Sequence, residues 1–75
     1  MMEQHFLAQK ADWISKMKWG DMAEAARIAG VTRATFQEWM QSTGLCRSST
    51  DKRNLKALKQ AIRAREKDLS AAMAA

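Results

Sequence analysis

Three long side chains with flat, two-pronged hydrogen-bonding heads recur at four-residue spacing: Arg33, Gln37 and Gln41. On a helix this spacing lines them up along one side. A guanidinium fork matches the O6 and N7 acceptors of guanine, and a carboxamide matches N6 and N7 of adenine. Thr32 and Thr35 stand at the start of the same segment, with hydroxyls suited to phosphate oxygens and methyls suited to thymine. Arg47, Ser48 and Ser49, then Lys52 and Lys56, add donors of the kind that bond phosphate. The chemistry on offer is recognition of a polyanion rather than bond making. One histidine (His5) and one cysteine (Cys46) lie far apart, and neither paired carboxylates nor a phosphate-cradling glycine loop accompanies them. No catalytic residue, metal site, cofactor or small-molecule ligand is expected.

The segment that must position Arg33, Gln37 and Gln41 runs over 20–45, and its pattern is two short helices joined by a tight corner. Asp21, with Glu24 three residues on, has the form of a capping box opening the first helix. Ala25, Ala26 and Ala29 give it a face of small side chains, and Gly30 suits the left-handed residue that ends it. Val31 turns inward and Thr32 is placed to cap the second helix. Phe36, Trp39 and Met40 fall on the face opposite the long polar side chains and are expected to point to a core. This arrangement is a helix-turn-helix.

Gly20-Asp21, Ala25-Ala26, Gly30-Val31-Thr32-Arg33, Thr35-Phe36, Met40 and Gly44-Leu45 resemble the DNA-binding module of the factor-for-inversion-stimulation (Fis) type, which also ends many bacterial enhancer-binding activators. The resemblance covers about a third of the chain. It implies that the second helix enters the major groove of double-stranded DNA. The chain departs from the family pattern at Ala29, where a large aliphatic is usual, and at Glu38 and Trp39, where basic residues are usual.

The flanking segments read as helices too. Over 3–18, Phe6, Trp13 and Met17 share an apolar face flanked by Leu7 and Ile14, interrupted by Lys10, which must snorkel or split the stripe. His5 reads as a solvated first-turn residue. The pattern leaves Trp19, in the Lys18-Trp19-Gly20 corner, unassigned to inside or outside, and shows no exposed aromatic platform of the kind RNA binders use. After a polar loop over 46–50, Thr50 or Asp51 is placed to cap a long basic amphipathic helix over 51–73. Leu55, Leu58, Ile62, Leu69 and Met73 form its apolar stripe, interrupted by Arg65. Lys52, Lys56, Lys59, Arg63 and Lys67 form a second stripe about a quarter-turn away.

The 75 residues make one small domain with no proline, and the fold expected is an all-α bundle of three or four helices with breaks near 19–21, 30–32 and 43–51. The net charge of +5 is unevenly spread: residues 1–19 carry +1, residues 20–45 carry −1 and residues 46–75 carry +5. The positive surplus therefore follows the helix-turn-helix rather than lying within it. No apolar run approaches the roughly 20 residues of a membrane span. The N-terminus lacks the basic and apolar regions of a signal peptide, and a lone cysteine suits a reducing cytoplasm. Trp39 and the Leu55, Leu58, Ile62 and Leu69 stripe form either core or dimer seam. With the apolar face of the first helix they over-supply a core of this size, so a homodimer is expected. The reading is a sequence-specific DNA-binding regulator, a small stand-alone repressor acting as a homodimer. The alternative is a protein-interaction adaptor built on the same fold, which the near-neutral module and Glu38 would suit.

Overall fold

Small side chains decide how closely the helices meet. The computed structural model describes residues 2–42 and 48–74, with side chains over 5–42 and 48–70. Within them lie four helices: α1 (Met2–Ser15), α2 (Asp21–Ala29), α3 (Arg33–Gln41) and α4 (Ser48–Ala74). The described residues contain no strand, so the all-α bundle expected from the sequence is the fold. Ala25 and Ala26 on α2 and Ala57 and Ala61 on α4 are all buried, and with no bulk beyond Cβ they let α4 lie along α2. Leu55, Leu58 and Ile62 of α4 and Phe36 and Trp39 of α3 complete the core. The Phe36 and Trp39 rings meet at a centroid distance of 5.4 Å and a tilt of 49°. Phe6, Trp13, Ile14, Met17, Met22, Ile28, Val31 and Met40 pack around this centre, half-buried.

The corner between α2 and α3 forms as its residues dictate. Gly30 takes a left-handed φ of 77°, and the Gly30 and Val31 N–H groups bond back to Arg27 O and Ala26 O at 3.2 and 3.0 Å, the paired bonds of a Schellman ending. Thr32 then caps α3: its Oγ1 accepts the Thr35 N–H at 3.1 Å.

Other boundaries differ from the expectation. The first helix ends at Ser15 rather than Lys18, closing with three-residue bonds from Lys16 N to Trp13 O and from Met17 N to Ile14 O, each 3.1 Å. Asp21 does not cap α2. Gly20 holds the cap position in a left-handed conformation (φ 92°), and Asp21 is the first helical residue. Its carboxylate turns back to accept Lys18 N–H at 2.8 Å and Arg65 Nε at 3.0 Å, which places it inside the fold at 3% exposure. Glu24 does not close a capping box either: it pairs on the surface with Arg27, whose guanidinium hydrogen bond holds the Glu24 carboxyl below its ordinary range. α4 starts at Ser48, not residue 51, so Thr50 and Asp51 lie inside it, and the Asp51 carboxylate accepts Trp39 Nε1–H at 2.8 Å.

Trp39, Leu55, Leu58 and Ile62 are core within one chain. Leu69 is not: it is 56% exposed, because α4 runs on past the helices that cover its earlier turns. The close α2–α4 approach thus absorbs most of the apolar surplus that suggested a second copy.

Candidate nucleic-acid interface

Two cations that interrupt apolar stripes fix the two ends of the helix-turn-helix. Arg65 of α4 reaches the start of α2, with Nε 3.0 Å from both Asp21 carboxylate oxygens and Nη2 3.3 Å from Lys16 O. Lys10 of α1 reaches the end of α3. It is 3% exposed, and its ammonium donates to Trp39 O (2.7 Å), Ser42 O (3.0 Å) and Ser42 Oγ (2.9 Å) while lying 4.4 Å from the Trp39 ring centroid. A cation at the last carbonyls of a helix satisfies its orphan acceptors and the negative end of its dipole. Lys10 therefore neither snorkels to water nor splits the stripe. Together with the Trp39–Asp51 bond, these contacts hold the inner side of α3 and leave its other side open.

The open side holds the residues singled out by spacing. Arg33, Gln37 and Gln41 are exposed, and among the described residues none of their side chains makes a hydrogen bond within the chain. Ala34 and Glu38 share this face. Spacing alone passed over Ala34, whose methyl has the size to meet a thymine methyl. A glutamate here can accept from cytosine N4, so Glu38 fits base-edge chemistry even where it cannot meet phosphate. The Thr32 hydroxyl is committed to the cap and donates to Thr35 Oγ1 at 2.9 Å, leaving Thr35 the hydroxyl hydrogen for an outside acceptor. Both threonines are exposed.

Beside the start of α3, Lys18, Trp19, Gly20, Met22, Ala23 and Arg33 line an open groove of about 400 Å³. Trp19 is 99% exposed. The sequence pattern shows no exposed aromatic platform, and here is one. It stands in the corner between α1 and α2, beside the left-handed Gly20.

Ser48 and Ser49 are exposed in the first turn of α4, and Lys52 and Lys56 are exposed beyond them; Arg47 and Cys46 lie outside the described residues. Lys52, Arg53, Lys56, Lys59, Arg63 and Lys67 occupy an arc of roughly 120° on α4, with no carboxylate inside it. None of the six takes part in an ion pair among the described residues. Lys56 stands opposite the middle of the face that packs on α2. The stripe borders α1, where Lys59 Nζ lies 3.4 Å from Gln9 Oε1 and 5.8 Å from the Trp13 ring centroid, and Arg63 lies 5.3 Å from that centroid. His5 is exposed with its Nε2 2.9 Å from Gln9 Nε2, and the described residues hold no cluster suited to a metal. No helix among them is long and apolar enough to cross a membrane.

No family model matches the chain, and neither the curated proteins nor the solved structures give a match, so the assignment rests on the geometry of α3 and its surroundings.

Proposed function

We propose that the chain is a sequence-specific binder of double-stranded DNA, a transcriptional regulator of the repressor kind acting in the cytoplasm. The observation that supports this most is the open face of α3. A helix anchored near its C-terminal end by buried polar contacts at Trp39 presents Arg33, Gln37 and Gln41 with their hydrogen-bonding heads unused by the chain itself. Long polar groups on a rigid helix are what major-groove readout requires. Arg33 takes guanine, Gln37 and Gln41 take adenine edges, and Thr35, Ser48 and Ser49 serve phosphates, while the Thr32 hydroxyl, expected to do the same, is used by the α3 cap. The resemblance of the Gly30-Val31-Thr32-Arg33 corner to Fis-type modules points the same way.

The α4 stripe, Lys52 and Lys56 included, supplies attraction that does not depend on sequence. Replacing Lys56 and Arg63 together with alanine should weaken binding to a selected site and to random duplex alike. The slope of log K against log[salt] should become shallower by about one unit for each phosphate left without its cation. Fluorescence anisotropy of labelled duplexes over a salt series measures both quantities. An unchanged slope would remove α4 from the interface.

Homodimerisation belongs to this proposal in reduced form. Among the described side chains of the α4 stripe Leu69 is the one left open, and two copies would match two half-sites through two-fold symmetry. A wild-type chain that binds no duplex even at low salt would transfer the α3 face to a protein partner, the adaptor reading.

A further inference from the structure

Trp19 is a large apolar side chain that contributes nothing to the core, standing in a groove that also contains Arg33, the candidate guanine reader. Exposing an indole this fully is costly, and exposed aromatic residues of this kind are the usual anchors of an interface. The lining of the groove narrows the choice of partner. Its two charged members, Lys18 and Arg33, are both cations, and it holds no carboxylate. On its other side Trp19 borders a second groove that holds Asp21, Glu24 and Asp68; of these, Asp21 is buried on Arg65 and Glu24 pairs with Arg27. An exposed indole that shares a groove with two cations complements a sugar–phosphate chain, whose deoxyribose faces are apolar and whose linkages are anionic.

We infer that Trp19 and Lys18 form a backbone clamp, with the Trp19 indole packed on a deoxyribose of the strand flanking α3 and the Lys18 ammonium on the neighbouring phosphate. This rests on the DNA reading of α3 and extends its footprint to the corner between α1 and α2. The indole N–H is free to donate to a phosphate oxygen, because Trp19 makes no hydrogen bond among the described residues. The left-handed Gly20 (φ 92°) directly follows Trp19 in the corner that leads into α2.

The test uses the full chain, its Trp19→Ala and Trp19→Phe variants, and labelled random-sequence duplex at low salt. Because Trp19 lies outside the core, both variants should melt at the wild-type temperature. Trp19→Ala should bind about tenfold more weakly, and Trp19→Phe should recover part of that loss. Iodide quenching adds a direct readout, since Trp39 is buried and Trp13 half-buried. The most strongly quenched emission, that of Trp19, should be protected when duplex is added and be missing already in both variants, leaving only the weaker quenching of half-buried Trp13. Wild-type affinity in Trp19→Ala, or a Trp19 that iodide still reaches in the saturated complex, would overturn the clamp and leave the α3 reading standing. A wild type that binds no duplex would end both. Loss of dimer mass in Trp19→Ala without DNA, measured by light scattering, would also overturn the clamp and give the ring to a second copy.

Discussion

Leu58→Glu should leave the chain without a cooperative melting transition and with little helical circular dichroism at 25 °C. Leu58 is fully buried where α4 meets the rest of the core, out of reach of the solvent that a carboxylate needs. Burying an unpaired charge costs several kcal/mol at least. A domain of this length holds only a few kcal/mol in reserve, so the substitution exceeds what the fold can absorb. Leu69→Glu, on the same stripe but 56% exposed, should fold normally. The pair separates core from interface on one helix. A folded Leu58→Glu chain with a melting temperature near wild type would mean that α4 does not pack as described.

Lys10→Met should lower stability by about 2 kcal/mol, which for a domain of this size is a fall in melting temperature of roughly 10–15 °C. Methionine keeps the length and apolar stem of the side chain, so packing is largely retained. What goes is the ammonium that bonds Trp39 O, Ser42 O and Ser42 Oγ and sits against the Trp39 ring. Replacing a buried ion pair wholesale by apolar groups can be neutral, but here only one partner is removed and the polar groups of the α3 end stay buried. Trp39 O keeps a bond from Ser42 Oγ at 2.7 Å, which limits the loss. Thermal melting of the two proteins under one buffer condition measures the difference. An unchanged or raised melting temperature would show that the cation is dispensable and that α3 is held by its rings alone.

What the sequence reveals and what it hides divide along the range of the interactions. Gly30 and Thr32 act on atoms three to five residues away, so their roles are legible from spacing, as is the polar outer side of α3. The capping box expected at Asp21 does not form because a partner 44 residues further on, Arg65, takes its carboxylate. Lys10 and Arg65 are visible as polar interruptions of apolar stripes, which is the trace a buried long-range contact leaves in one dimension. Their partners, two helix ends, become visible only in three. A count of apolar faces does not register how near the alanines of α2 and α4 bring those helices. Leu55, Leu58 and Ile62 find their cover inside one chain. Trp19 lies in the corner between two helices, outside any apolar stripe, so no periodicity encodes its exposure.

Arg33→Ala tests most directly whether α3 reads base edges. A binding site is first selected from a randomised duplex pool with the wild-type chain. Wild type and variant are then titrated on that site and on a scrambled duplex at one salt concentration. Arg33 is exposed and without a hydrogen-bonded partner among the described residues, so its removal should leave the melting temperature unchanged. Base reading predicts a loss of about 1–3 kcal/mol on the selected site and much less on the scrambled one. Equal losses on both duplexes would make Arg33 a phosphate contact and contradict base reading by α3.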